Sequence, residues 1–172
     1  RLWPGSDSLY RFPSIQCKKT RNALQIGPEE RMIVFASQPL SKIYGEDPDT
    51  PGHLGYTEQA VLKLLLTVLR SIAKKNNLQL VLVIRPHPRE DVRDFEVNSG
   101  DQVRVVVSTE EEPRDLLMAA DVVTGMNTML LMEACYLGCL TVSLQPGLRL
   151  PDALPTNQSG QSIPIYRKQE IE

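Results

Sequence analysis

Two short segments hold the residue types that can bind or transform a polar ligand. The first, Arg85-Pro86-His87-Pro88-Arg89, sets a guanidinium two residues before an imidazole, each followed by a proline. Arginine offers a planar fork of donors suited to phosphate oxygens, and histidine can donate, accept or carry a proton near neutral pH, which makes His87 the candidate for acid–base work. The prolines fix φ and remove two backbone N–H groups, so this is a stiff turn that ends a strand. The second segment, Thr124-Gly125-Met126-Asn127-Thr128, precedes the apolar run Met129-Leu130-Leu131-Met132-Glu133-Ala134-Cys135. Gly125 permits a tight turn, and Asn127 or Thr128 can cap a helix whose first N–H groups suit a phosphate; equally, both residues can be caps and nothing more. Glu133 sits in an apolar setting, where an unpaired buried charge is costly. A pair of sugar hydroxyls would serve as its partner, as would a backbone N–H or Arg85.

The remaining pattern supplies a scaffold for these segments. Short apolar runs rich in branched residues at 32–36, 80–84, 103–107, 121–124 and 140–144 have the character of strands buried on both faces. Helical patterns cover 14–25, 57–77, 113–120 and 128–137. The longest is capped by Thr57, carries Val61, Leu65, Val68 and Ile72 at helical spacing, and ends near Lys74-Lys75. A short helix near 90–95, loop over 145–160, an edge strand at 163–166 and a helix beginning at Gln169 complete the expectation. Strands alternating with helices call for right-handed crossovers and a parallel sheet. The class is therefore α/β: a Rossmann-like three-layer α/β/α sandwich with a parallel sheet of about six strands over 14–172, preceded by a linker or trimmed connection at 1–13. In such a sheet the ligand lies outside the carboxyl ends of the strands. That places Ser37-Gln38, the 85–89 turn, Ser108-Thr109 and the 124–128 turn together, and adds Ser37 to the ligand-binding candidates. The long connection 38–56 is a candidate lid, with His53 able to reach over the cleft, whereas Asp121 reads as a cap.

Composition bounds what such a site can meet. Nineteen Lys and Arg against 21 Asp and Glu give a net charge of −2. No global field draws the chain to nucleic acid or an anionic membrane, so any anion must be held locally. Cys17, Cys135 and Cys139 form no C-x-x-C pair, and an odd number fits no complete disulfide framework. A reducing cytoplasm is the expected setting, with the cysteines as packing residues. The apolar stretch 61–69 is broken by Lys63 and far short of a membrane span. The chain starts at Arg1 and stops in mid-pattern at Glu172, so both ends are expected to be cuts. There is no G-x-G-x-x-G and no acidic residue closing the second strand, which excludes a dehydrogenase of the usual kind; P-loop, nucleophile-elbow and His/Cys metal spacings are missing too.

On these residues the chain, over roughly 14–170, resembles the C-terminal, donor-binding domain of GT-B-fold glycosyltransferases and of UDP-N-acetylglucosamine 2-epimerases. The stretch from Asn127 through Glu133-Ala134 to Gly138 looks like the polar residues, Glu-Ala pair and later Gly of those enzymes. Arg85-Pro86-His87-Pro88 is similar to a segment of CDP-glycerol glycerophosphotransferases and related capsule or wall polysaccharide transferases. The resemblance implies that Gly125, Asn127 and Thr128 contact the donor's diphosphate, that Glu133 holds the nucleotide ribose and that Arg85 and His87 face the phosphates. Met126 and Met129 stand where relatives often carry Ser or Gly. The implied reaction moves a sugar from a nucleotide-sugar donor to an acceptor, in polysaccharide or glycolipid synthesis, and demands no metal or other cofactor. The acceptor site and catalytic base would come from a missing N-terminal domain, as would any peripheral membrane association, leaving this domain inactive alone. A nucleotide-sugar 2-epimerase domain and a non-catalytic Rossmann-like binding module are the alternatives.

Overall fold

Runs of branched side chains form strands, and the central strands β1 (Arg31–Ala36) and β2 (Leu80–Arg85) bury both faces almost throughout. The computed structural model describes residues 15–95, 100 and 102–170, so the expected connection 1–13 lies outside the described residues. Strands β1 (Arg31–Ala36), β2 (Leu80–Arg85), β3 (Val103–Val107), β4 (Val122–Gly125), β5 (Thr141–Leu144) and β6 (Ile163–Ile165) form one sheet in the order β3-β2-β1-β4-β5-β6. Every pairing is parallel. Side chains alternate across it: Ile33 and Phe35 of β1 enter one core, Met32 and Val34 the other. Helix α3 (Glu58–Asn76) covers the first face, while α1 (Ile15–Ala23), α4 (Pro113–Ala119) and α5 (Met129–Tyr136) cover the second. The expected three-layer α/β/α sandwich is the observed one.

Helix α3 shows how the sequence enforces this. Thr57 Oγ1 accepts the Ala60 N–H at 3.3 Å to start it, and Asn77, in the left-handed region with φ of 52°, ends it. Between them Val61, Leu62, Leu65, Leu66 and Leu69 bury one stripe. Each such side chain contributes about 1.5–3 kcal/mol.

The strand order has a consequence for function. From β1 the chain runs outward to β2 and β3, then returns to β4 on the other side, and the crossovers part between β1 and β4. This divergence opens a crevice at the carboxyl ends of those two strands. Gly125 allows β4 to approach β1 there, since a Cβ would lie 2.7 Å from the Ala36 carbonyl oxygen.

Two connections differ from expectation. Segment 38–56 is no lid: it contains α2 (Leu40–Tyr44), and Leu40, Leu54 and Tyr56 are buried in the same cluster as Met126 and Leu144. The Tyr56 hydroxyl donates to Gln145 Oε1 at 3.1 Å, Gln145 Nε2 to Ser143 Oγ at 3.0 Å, and Ser143 Oγ to the Met126 carbonyl at 2.8 Å. Gly55, at φ of 100°, passes so near Gly147 that a Cβ would sit 2.0 Å from its carbonyl oxygen. His53 of this segment is buried, its Nδ1 accepting the Gly55 N–H at 2.9 Å, and does not reach the cleft. The expected loop 145–160 contains one helical turn, α6 (Pro155–Gln158), set by buried Leu154 and Thr156. The helices expected near 90–95 and from Gln169 are 3-10 turns, Val92–Phe95 and Lys168–Glu170. Among the described residues, no helix is long and apolar enough to cross a membrane.

Candidate functional site

The carboxyl ends of β1, β2 and β4 open into one cavity of about 870 Å³, joined by Thr109 just past β3. That volume is in the range of small-molecule sites. Ser37 and Gln38 enter it from the end of β1, Arg85 and His87 from β2, and Asn127 and Thr128 from β4. Met129, Leu130 and Met132 of α5 form an apolar wall, and Ala153, Leu154 and Pro155 complete it. The location is the one a doubly wound sheet prescribes.

The 85–90 turn accounts for its own backbone. Pro86 and Pro88 have no N–H to satisfy. The His87 N–H donates to Glu90 Oε2 at 2.7 Å, the Arg89 N–H to His87 Nδ1 at 3.1 Å, and the Glu90 N–H to the His87 carbonyl at 2.8 Å. Because Nδ1 accepts, the imidazole proton resides on Nε2, and a ring lining the cavity keeps that N–H as its remaining polar group. Arg85 is half-buried and donates from Nη1 to the Ser108 carbonyl at 3.2 Å. No carboxylate among the described residues pairs with it. A guanidinium carries five N–H donors, so Arg85 keeps spare donors at the cavity wall.

Glu90 is a polar site residue that the sequence reading missed. Its Oε1 accepts the Ser37 hydroxyl at 2.8 Å while Oε2 holds the His87 N–H. Burial pushes its carboxyl above the ordinary range, and Glu58 adds to this; the His87 N–H, the Ser37 hydroxyl and Lys42 act in the opposite direction. The signal was available: a Glu three residues after the turn residue whose N–H it accepts has the reach-back spacing of a capping box.

At the second segment, Thr128 is the cap, its Oγ1 accepting the Leu130 N–H at 3.3 Å. Asn127 is instead clamped through its backbone: its N–H donates to Gln38 Oε1 at 3.0 Å and its carbonyl accepts from Gln38 Nε2 at 2.5 Å. The Leu131 N–H is bonded to the Thr128 carbonyl, which leaves the Met129 N–H, at the cavity wall, without a partner among the described residues. Ser37, Arg85, His87, Asn127 and Thr128 thus converge on one cavity, and Gly125 and Glu133 do not line it. Gly125 is buried against β1. Glu133 is exposed on α5, which corrects the expectation of a buried charge in need of a partner: the side turned inward is that of Leu131 and Ala134. Met126 is fully buried in the core.

The wall near α6 is held by Asp152, whose carboxylate accepts from the Leu154 N–H at 2.8 Å, Asn157 Nδ2 at 2.7 Å and the Tyr166 hydroxyl at 2.6 Å. Burial works to raise its pKa, but the Tyr166 hydroxyl, the Leu154 N–H, Asn157 and Gln145 together hold it below the usual carboxylate range. The same bond to Asp152 pushes the Tyr166 phenol up to about 12. Among the described residues, no group of three or more His, Cys, Asp and Glu is arranged to hold a metal ion.

No protein-family model and no curated protein sequence matches the chain. Solved structures do. The UDP-GlcNAc 2-epimerase of Methanocaldococcus jannaschii, in complex with UDP-GlcNAc and UDP, superposes with a TM-score of 0.57 at 12% identity, covering 97% of this chain and 42% of that one. The wall teichoic acid polymerase TagF gives 0.51 at 13% identity, over 76% of this chain and 27% of that one. The glycosyltransferase SnogD from Streptomyces nogalater gives 0.50 at 13% identity, over 83% and 33%. The chain therefore spans less than half the length of each of these proteins. What it shares with them is a fold, the Rossmann-like α/β domain found in GT-B glycosyltransferases, UDP-GlcNAc 2-epimerases and TagF.

Proposed function

We propose that the chain is the donor-binding domain of a GT-B-type glycosyltransferase and that its cavity receives the diphosphate end of a nucleotide-sugar donor. The observation that carries this reading is Arg85: a half-buried guanidinium at the carboxyl end of β2, lining an open cavity, with no carboxylate partner among the described residues. A cation kept that way is matched to an anion from outside, and a diphosphate offers the paired oxygens its fork recognises. The His87 Nε2–H and the Met129 N–H at the start of α5 add donors on neighbouring walls.

The chemistry follows from charge. When the sugar's anomeric carbon leaves the donor, negative charge grows on the departing phosphate, and fixed donors that meet it there lower the barrier without a metal. The acceptor and the base that deprotonates it come, in this reading, from a separate N-terminal domain. A reducing cytoplasm, where an odd number of cysteines is tolerated, suits the protein. A net charge of −2 gives no global field toward nucleic acid or a bare anionic membrane, so the anion is held locally in this reading.

Calorimetric titration with UDP, CDP and GDP tests the proposal. One nucleoside diphosphate binds with a measurable Kd, and Arg85→Ala weakens it roughly tenfold or more, as expected for lost charge-assisted hydrogen bonds. Absence of binding for all of them at millimolar concentration would favour a non-catalytic module with the same fold.

A further inference from the structure

Ser37 and His87 come from the ends of two neighbouring strands, and one carboxylate joins them. Glu90 takes the Ser37 hydroxyl at 2.8 Å on one oxygen and the His87 N–H at 2.7 Å on the other, and its own N–H closes onto the His87 carbonyl at 2.8 Å. Ser37 is 2% exposed, so its hydroxyl cannot be left unmet at no cost. The prolines on both sides of His87 limit the turn, but they do not choose which way the imidazole faces. That choice is made by the Arg89 N–H on Nδ1, and Arg89 is placed by the 87–90 loop that Glu90 ties shut.

A carboxylate is an odd neighbour for a site that takes an anion, because it repels the ligand. Its presence calls for a role that outweighs the repulsion. We propose that Glu90 is a positioning residue of this site: by bridging the ends of β1 and β2 it fixes His87 in the Nε2-protonated form and aims that N–H at the ligand's phosphates. The identity of the ligand rests on the donor-binding reading above; the geometry of His87 does not. Burial lets Glu90 hold a proton more readily than an ordinary carboxyl, which lessens the repulsion when an anion arrives.

The role separates from a merely structural one through the chemistry of residue 90. Glutamine keeps a carbonyl for the His87 N–H, and the Ser37 hydroxyl can turn to accept from its amide; alanine leaves both donors unmet. The test uses the full chain, with imidazole ¹⁵N NMR to read the His87 tautomer and calorimetry with UDP and CDP to read affinity. His87→Gln identifies the His87 signals against those of His53. The parent shows Nδ1 bare and Nε2 protonated. Glu90→Ala shows a mixture of tautomers and about tenfold weaker binding, the size expected when a hydrogen bond to a charged group is misaimed. Glu90→Gln restores the single tautomer and brings affinity back to within about threefold of the parent. A folded Glu90→Ala protein with the parent's tautomer and affinity overturns the proposal, and so does Glu90→Gln behaving like Glu90→Ala. If Glu90→Ala fails to fold, Ser37→Ala, which removes one of the two tethers, must show a partial tautomer mixture; an unchanged His87 spectrum overturns the proposal there as well. A parent that binds no nucleotide while its His87 tautomer still depends on Glu90 would sink the donor reading and leave the positioning role standing.

Discussion

The two ends of the sheet use arginine in opposite ways. At the amino end, Asp121 just before β4 accepts the Met32 N–H at 2.7 Å and pairs with Arg21 at 3.3 Å and Arg31 at 3.5 Å, while Arg104 of β3 meets Glu30 at 3.5 Å. Arg21 also donates to the carbonyls of Ala119, Gly27 and Glu30. There each guanidinium is answered by an acid from the chain itself. At the carboxyl end, Arg85 lines the cavity with one carbonyl contact and no acid among the described residues. Arginine at the first end fastens α1, β1 and β4; arginine at the second faces a cavity and is tied to the chain by a backbone carbonyl alone. The difference teaches that a partly buried charge is read by its partners and not by its type, since desolvation without compensation is costly.

The largest effect that can break this comparison is on stability at the amino end. Asp121→Ala strands the buried Met32 N–H and removes the acid from Arg21, whose side chain is 17% exposed. A loss of about 2–3 kcal/mol is expected, with part of the ion-pair term discounted because the Asp121 side chain is itself partly exposed. Urea unfolding measures it. Arg85→Ala comes next and should behave inversely: its unfolding free energy stays within about 1 kcal/mol of the parent while nucleotide affinity falls roughly tenfold or more. Equal destabilisation by the two substitutions would mean that Arg85 is structural too, and the contrast between the ends would collapse.

Much of this was legible in the sequence, for physical reasons that also mark where legibility stopped. Strands such as β1 and β2 declare themselves because both faces are buried and the chain answers with short unbroken apolar runs, Met-Ile-Val-Phe-Ala in one and Leu-Val-Leu-Val-Ile in the other. Helix α3 declares itself through its cap and stripe. The convergence of Ser37, Arg85, His87, Asn127 and Thr128 followed from strand ends alone. Segment 38–56 misled because its Pro, Gly and Asp content masks Leu40, Leu54 and Tyr56, which join the core, and the Tyr56 hydroxyl bonds to Gln145, 89 residues along the chain. Glu133 misled for the converse reason. A helix that is apolar nearly all round suggests burial on every side, yet Met129 and Tyr136 of α5 are exposed, and so is Glu133.

A third test sharpens the comparison by finding a structural acid at the ligand end. Asp152 lies beside the cavity wall, and its carboxyl is held below the usual range in the folded protein. A group of that kind contributes stability above the unfolded aspartate pKa, near 4, and the contribution is lost as pH falls through the lower folded value. Asp152→Asn should therefore be less stable than the parent at neutral pH, and the gap should narrow steadily below about pH 4. Thermal melts across that range measure it. A gap independent of pH would mean that Asp152 acts by shape and not by charge.

The smallest expected effect falls on Glu133, and it decides how far the ligand extends. The cavity wall on α5 is Met129, Leu130 and Met132, and Glu133 points from the exposed side of the same helix. A ligand confined to the cavity leaves that carboxylate in water, so Glu133→Ala should change nucleotide affinity by less than about threefold, under 1 kcal/mol. A tenfold loss would require the nucleotide to pass over Met129 and Met132 and place hydroxyls against Glu133, the ribose contact implied by the resemblance. Repeating the titration with inorganic pyrophosphate separates the two cases. If Glu133 holds the ribose, its removal weakens the nucleotide and leaves pyrophosphate unchanged, whereas Arg85→Ala weakens both.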